Sequence, residues 1–170
     1  WDASGQIPVR AVESGQITRF GAIDDTEGGQ TSRTNAIIAH THQIDQTSFV
    51  KSSVYYSQYE FELFSNFTFF LEDPENGDQI RQYEKRNLYG VNSSYFKSLN
   101  LGQVETEIEV GVGLRYDDVN DNELAHTVDR RTTLERLAYG DIDETNAHAF
   151  VNAEFNVGKF MINPGIRLDA

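Results

Sequence analysis

The feature that most constrains this chain is a strict alternation of apolar and polar residues. It is cleanest over about residues 103–117. One face there carries Val104, Ile108, Val110, Val112, Leu114 and Tyr116, and the other carries Glu105, Glu107, Glu109, Gly111, Gly113 and Arg115. A period of two residues is that of a β-strand, in which successive side chains point to opposite sides. The segment is therefore predicted to be a strand with one apolar and one polar face.

The same pattern predicts five more strands, which makes the chain all-β. They cover about residues 33–44, 48–71, 83–98, 146–156 and 160–168. In the strand at 48–71, the odd positions from Tyr55 to Phe69 are assigned to the apolar face, and Glu60 and Glu62 to the polar face.

The predicted connections alternate between long and short. Residues 1 to about 31, 72–78 and 118–143 are long or strongly polar, whereas 45–47, 99–102 and 157–159 are tight turns. Within 118–143, Thr132 and Glu135 have the spacing of a helical capping box, which predicts one or two helical turns over 132–137. The alternation of long and short connections is typical of a membrane β-barrel with long extracellular loops and short periplasmic turns.

Charge and residue usage exclude several classes of protein. A net charge of -13 over 170 residues opposes binding to nucleic acid. The absence of cysteine excludes disulfides, thiolate zinc sites and cysteine nucleophiles. No run approaches the roughly 18 to 20 apolar residues of a membrane helix. Because the sequence also lacks a nucleophile elbow, a phosphate loop and a dinucleotide fingerprint, we expect no enzymatic activity and no cofactor.

Strand length favours a membrane barrel over a β-sandwich. Several predicted strands reach the roughly 9 to 11 residues that a tilted strand needs to cross a bilayer. We predict an antiparallel up-and-down transmembrane β-barrel segment of six strands, with apolar faces toward lipid and polar faces toward a wet interior. A closed barrel of this kind needs at least about eight strands. Residues 1–170 are therefore expected to be a partial barrel domain, a fragment of a larger chain.

Two alternatives remain open from the residues alone. A small complete outer-membrane barrel with an adhesin or structural role suits the length but needs more strands. A secreted β-sandwich could bind glycans through its aromatic residues. Apolar faces packed on one another would favour the sandwich, and closure of the sheet between residues 1 and 170 would favour the small barrel.

Several segments resemble the barrel of TonB-dependent outer-membrane receptors. Residues 4–12 read SGQIPVRAV, residues 19–24 RFGAID and residues 27–33 EGGQTSR, directly before a predicted strand. Residues 158–160 and 164–169, GKF and PGIRLD, look like a further barrel hairpin. The resemblance implies a barrel of about 22 strands in the outer membrane of a Gram-negative bacterium, plugged by its own N-terminal domain. It also implies uptake of a scarce nutrient, driven by an inner-membrane energy-transducing protein acting through the plug, which is expected to lie outside this sequence.

Candidate contact residues follow from the predicted faces and loops. A charged row on the interior face is a candidate surface for the plug or the substrate, and it consists of Glu60, Glu62, Glu105, Glu107, Glu109 and Arg115. Arg10, Arg19 and Arg33 in the first loop are candidates for binding an anionic ligand. The alternative is that they form ion pairs with the nearby acids Asp24, Asp25 and Glu27.

Two patterns suggest metal ligands, but neither leads to a predicted site. His40 and His42 share a strand face without a third ligand at a convincing spacing. Four residues fit positions of a calcium-loop template, namely Asp118, Asn120, Asn122 and Asp129. Because Glu123 stands where the turn glycine belongs, we predict an acidic surface loop and no metal.

Overall fold

The computed structural model describes residues 1–3 and 5–170 and is built almost entirely of strands. One short helix, α1 (Val9–Glu13), precedes them. The strands are β1 (Gly28–Asp45), β2 (Ser48–Ser65), β3 (Ile80–Leu101), β4 (Val104–Val128), β5 (Thr132–Val157), β6 (Phe160–Ile162) and β7 (Gly165–Asp169). None of the described residues belongs to a helix long and apolar enough to cross a membrane.

All seven described strands belong to one antiparallel sheet. β1 to β5 lie side by side in the order of the sequence, and β6 and β7 both pair with β5. Phe155 of β5 lies opposite Ile162 of β6, and His148 lies opposite Asp169 of β7. The predicted all-β, up-and-down arrangement is confirmed. At one end of the strand order lies β1, and at the other lie β6 and β7, which both pair with β5.

The predicted loop at 118–143 is wrong. β4 continues to Val128 and β5 begins at Thr132, so a three-residue turn replaces the long connection. The expected helical turns at 132–137 are wrong for the same reason, since these residues lie in β5. Acidic and amide side chains on both faces hide the two-residue period here, but backbone ladder bonds do not require an apolar face.

Other element boundaries also differ from the prediction. β1 starts five residues earlier than expected, at Gly28, and β2 ends at Ser65 rather than near 71. The predicted strand at 160–168 is divided, because Pro164 has no N–H to give to a ladder. Its carbonyl still accepts a hydrogen bond of 3.0 Å from the Ala153 N–H. Helix α1 lies in a segment predicted to be loop.

The chain forms two compact units. The first consists of Trp1–Arg33, Gln58–Arg86 and Val119–Ile142, and the second of Thr34–Ser57, Asn87–Asp118 and Asp143–Ala170. All hydrophobic residues that are buried in the described chain belong to the first unit, and they are Ala11, Phe64, Val119 and Ala125. None of the described hydrophobic residues of the second unit is fully buried.

Candidate functional site

Three tyrosines stand side by side on one face of the second unit. The ring centroids of Tyr56 and Tyr89 are 5.2 Å apart, and those of Tyr89 and Tyr116 are 6.3 Å apart. Because these residues lie on β2, β3 and β4, the rings form a row across three strands. The Tyr56 hydroxyl donates to Asn87 Oδ1 at 2.9 Å, and the Tyr116 hydroxyl donates to the Asp143 carboxylate.

Aliphatic side chains lie next to the tyrosine row and complete a groove of about 390 Å³. Ile38 of β1, Val54 of β2 and Leu114 of β4 all line it, and all are exposed. We call this cavity the tyrosine groove and the face that carries it the apolar face. It continues onto β5 and β7, where Val151 lies opposite Ile166 and both are exposed.

The opposite, polar face of the second unit carries glycine, amide and charged residues. A Cβ atom on Gly113 would lie 2.2 Å from the His148 ring and 2.5 Å from Asn92 Oδ1. The glycine therefore lets a large side chain of β5 lie across β4. The alternation predicted for β4, with Gly113 and Glu109 opposite Val112, agrees with these contacts.

One tyrosine lies on the face opposite to its prediction. The Tyr55 ring lies within about 2.1 Å of where a Gly90 Cβ would be, so Tyr55 is on the polar face with Asn92. Its neighbour Tyr56 contacts Tyr89 on the apolar face instead. Because Tyr55 and Tyr56 are adjacent, the sequence does not show which of them belongs to the apolar face. Their contacts with β3 show that it is Tyr56.

Glu107 and Glu109 line a cavity of the polar face of about 510 Å³. The rings of Phe49 and Phe96 stack in it with centroids 4.7 Å apart. The ammonium group of Lys51 lies over both rings, at 5.3 Å and 5.2 Å. Lys97 also lines the cavity, which thus combines carboxylates, an aromatic pair and a cation, whereas Glu105 is exposed outside it.

A second cluster on the polar face contains Arg115. Its guanidinium donates to both carboxylate oxygens of Asp117, at 2.9 Å and 2.5 Å, and Asp117 is buried. Arg167 pairs with Asp169 in the same way on β7. These two pairs and Glu144 line a cavity of about 320 Å³ with both signs of charge.

Glu60 and Glu62 lie in the first unit, in a different network from the other predicted row residues. Glu60 accepts a hydrogen bond of 3.0 Å from the Tyr83 hydroxyl. Arg81 bridges Glu62 at 2.7 Å and Glu123 at 2.8 Å. The six predicted residues therefore form separate groups rather than one continuous row.

The three arginines of the first loop form none of the expected ion pairs among the described residues. Arg10 and Arg19 are exposed, and the Arg33 guanidinium lies 5.3 Å from the centroid of the Tyr59 ring. The cation that holds this loop is Arg130, which the sequence analysis missed. Its guanidinium donates to the Thr26 and Glu27 carbonyls and, at 3.3 Å, to Asp2.

A buried polar cluster holds residues 24–27 in the first unit. Asn66 donates from its backbone to Glu27 at 2.7 Å and from its side chain to Asp24 at 2.7 Å. Gln79 donates to the Thr26 hydroxyl at 2.6 Å. Burial opposes ionisation of Asp24, but the hydrogen bonds from Thr26 and Asn66 outweigh it, so the pKa of Asp24 lies below its usual value.

Carboxylates accept several backbone hydrogen bonds in the connection between β2 and β3, and Asp78 accepts from three residues. Asp78 accepts hydrogen bonds from the backbone N–H groups of Leu71, Glu72 and Asp73 at 2.7 to 3.1 Å. The hydrogen bond from the Thr68 hydroxyl is the largest cause that lowers the pKa of Asp78, and with these N–H groups it outweighs the opposing effect of burial, so the pKa is about 2. The segment Asp73-Pro74-Glu75-Asn76-Gly77 is a turn signal that marks the position of this loop, but not its anchor.

No group of three or more potential ligands could hold a metal ion among the described residues. His40 and His42 are exposed on β1, with ring centroids 6.3 Å apart. The calcium-loop residues Asp118 and Asn122 lie in the extended strand β4, so the acidic loop predicted at 118–129 is wrong.

Comparisons with known proteins support the fold. The crystal structure of the ferric citrate transporter FecA in the unliganded form superposes on 98% of this chain with a TM-score of 0.73. The sequence identity is 14%, and the chain spans 24% of the length of that protein. No protein-family model and no curated protein matches the sequence. At this identity the likeness shows a barrel-like β fold and nothing further.

Proposed function

We propose that this chain forms part of the wall of an outer-membrane β-barrel that acts as an energy-coupled receptor and transporter for a scarce nutrient. The observation that carries the proposal is the apolar face of the second unit. Its side chains are exposed on neighbouring strands, and every buried hydrophobic residue of the described chain lies in the first unit. Membrane lipid would cover such a face without any second layer of protein.

The polar face supports a water-filled interior. Glu107, Glu109 and Arg115 would be costly against lipid, so the two faces can be oriented in only one way in a bilayer. Within the second unit, the segments of β1 to β5 reach the roughly 9 to 11 residues that a tilted strand needs. This face is proposed to contact the substrate or the plug, and no catalytic role is proposed for it.

The proposed partners follow from the resemblance and from the open ends of the sheet. Unpaired strand edges are not tolerated in lipid, so β1 and the β6–β7 pair are proposed to continue into further strands of the same barrel. The barrel would lie in the outer membrane of a Gram-negative bacterium around an N-terminal plug domain. An inner-membrane energy-transducing protein would act on that plug.

The two alternative functions have less support. A glycan-binding β-sandwich would bury the apolar face under a second sheet, whereas all described strands belong to one sheet with that face exposed. A small complete barrel would pair β1 with β6 or β7, whereas these strands end the strand order on opposite sides.

A charge placed on each face tests the proposal. Val112→Arg puts a cation on the exposed apolar face of β4, and Glu109→Arg puts the same side chain on its polar face. In the complete protein expressed in its host, we expect Val112→Arg to destabilise the barrel by about 2–4 kcal/mol, the cost of a cation at the lipid midplane. Glu109→Arg should have a much smaller effect.

The measurement is outer-membrane fractionation combined with heat-modifiable migration on a gel, which reports a folded barrel. Wild-type protein and Glu109→Arg should be found folded in the outer membrane, while Val112→Arg should be depleted there. A wild-type protein that is soluble, or two variants that behave alike, would contradict the proposal.

A further inference from the structure

The connection between β2 and β3 contains an asparagine followed directly by a glycine, Asn76 and Gly77. Asparagine is one of the thermolabile residues, and a following glycine makes it more so, because glycine has no Cβ atom to shield its backbone nitrogen. Asn76 is exposed to water, whereas Gly77 is buried. The sequence therefore marks Asn76 as chemically labile, and the structure of the loop determines whether it reacts.

The reaction is a deamidation that consumes only water. The Gly77 nitrogen loses its proton to solvent hydroxide and forms a bond to the side-chain carbonyl carbon of Asn76. The bond from that carbon to the amide nitrogen breaks, and ammonia leaves with a proton taken from water. Water then opens the resulting cyclic imide at either carbonyl, which leaves aspartate or isoaspartate at position 76. In total, an amide and a water molecule become a carboxylate and an ammonium ion.

Asp73 holds both reacting groups of this pair. Its backbone carbonyl accepts a hydrogen bond of 2.9 Å from the Gly77 N–H. One oxygen of its carboxylate accepts from the Asn76 N–H at 2.9 Å, and the other accepts from the Asn76 side-chain amide at 3.0 Å. These two bonds from Asn76 are the largest causes that lower the pKa of Asp73, so this acceptor is ionised at neutral pH. In the closed loop the attacking nitrogen keeps its proton, and the side chain that it must reach is held against Asp73.

Further contacts within the first unit keep Gly77 in place. The His126 ring of β4 donates from Nε2 to the Gly77 carbonyl at 2.6 Å. The Asp78 N–H donates to the Phe69 carbonyl at 2.6 Å on the other side of the loop. Gly77 itself has a φ of 87°, which glycine adopts without strain. Attack on Asn76 therefore requires a local opening that breaks several hydrogen bonds.

We propose that Asn76 is a latent site of spontaneous deamidation. Asp73 suppresses the reaction while the loop is closed, and opening of the loop permits it. The inference concerns a modification of the chain, and it holds whether or not the chain belongs to a transporter.

The product of the reaction opposes reclosure of the loop. Residues 72–78 contain no lysine or arginine and already carry four carboxylates, on Glu72, Asp73, Glu75 and Asp78. A carboxylate at position 76 would accept where the amide donates, and it would face the ionised carboxylate of Asp73. His126 attracts Asp73, but its ring already donates to Gly77. Deamidation therefore makes a transient opening permanent.

Mass spectrometry of the purified complete protein tests the site. Folded protein and the same protein unfolded in guanidinium chloride are kept at one mildly alkaline pH, and the peptide with Asn76 is followed for conversion to aspartate and isoaspartate. We expect the folded protein to react about a hundredfold more slowly, the effect of about three hydrogen bonds. Equal rates would overturn the protection. An unfolded chain that does not react at Asn76 would overturn the labile site.

Two variants test the role of Asp73. Asp73→Ala removes both carboxylate acceptors and should speed the reaction in the folded protein about tenfold, for the loss of two hydrogen bonds. Glu75→Ala, at an exposed position of the same loop, should react like the wild type. Equal rates in the two variants would overturn the assignment to Asp73.

Hydrogen exchange separates opening of the loop from unfolding of the whole protein. Protection of the β4 amides should be the same in both variants and in the wild type, while the Gly77 amide should exchange faster in Asp73→Ala. In aged wild-type protein, chains with aspartate or isoaspartate at position 76 should also exchange the Gly77 amide faster than unmodified chains. Equal exchange in modified and unmodified chains would overturn the permanent opening.

Discussion

Gly29, at the start of β1, marks a close approach of two backbones in the first unit. A Cβ atom there would lie 2.1 Å from the Glu62 carbonyl oxygen, which cannot rotate away as a side chain can. Gly29 also exchanges hydrogen bonds with Trp1, of 2.9 Å from its N–H and 2.7 Å to its carbonyl. The residue therefore joins the N-terminus, β1 and β2.

Gly29→Ala should destabilise the first unit by about 1–3 kcal/mol, because β1 must move to admit the methyl group. Gly140→Ala is the matched control, since Gly140 also lies in a strand and no atom lies within 4 Å of its Cβ position. Hydrogen exchange of residues 28–33 and 58–65 measures the effect. Equal protection in the two variants would contradict the close approach.

Arg130 holds the N-terminal segment through two backbone carbonyls. Arg130→Ala should raise the proteolytic sensitivity of residues 1–27, because it removes the hydrogen bonds that hold this segment. A hydrogen bond from a charged group contributes about 1.5–3 kcal/mol to stability. Arg131→Ala is the control, since Arg131 is the exposed neighbour. The prediction fails if limited proteolysis cuts both variants at the same rate.

In the β2–β3 connection, three backbone N–H groups donate to the Asp78 carboxylate. Asp78→Asn should lower the hydrogen-exchange protection of the Leu71, Glu72 and Asp73 amides, because a neutral amide is a weaker acceptor than a carboxylate. Glu75→Gln, at an exposed position of the same loop, should leave their protection unchanged.

The same loop should depend on pH in a defined direction. The pKa of Asp78 is lowered to about 2, below the usual value of about 3.9. Its contribution is therefore complete above about pH 4.5, decreases as the pH falls from there toward the folded-state pKa, and is lost below about pH 2. Protection factors of the three amides should stay constant from pH 7 to about pH 4.5 and then decline in the wild type. A decline that begins near pH 6 would point to another group.

The sequence predicts those elements in which one face differs chemically from the other. The central part of β4 around Val112 and most of the order of strands in the sheet follow from the two-residue period. A strand shows this period when its two faces meet different environments. The outer part of β4, β5 before residue 146 and the turn at 129–131 do not follow from it, since polar and apolar side chains are mixed there without a two-residue period. Arg130 was missed because its partners are carbonyl groups, which no sequence motif marks.

At the scale of the whole molecule, each unit has its own chemistry. The first unit buries a polar cluster around Asn66 and Gln79 beside a few hydrophobic residues. The second unit presents an apolar face and a polar face and buries no hydrophobic residue among those described. The first arrangement is suited to water, and the second to a boundary between lipid and water.

The contact between the apolar face and lipid is the central claim, and spin-label accessibility tests it most directly. The chain contains no cysteine, so Val112→Cys and Glu109→Cys each offer one labelling site within it. In reconstituted membranes of the complete protein, a label at 112 should collide mainly with oxygen, which concentrates in lipid. A label at 109 should collide mainly with a water-soluble nickel chelate. Equal accessibility at the two sites, or nickel access at 112, would contradict the account.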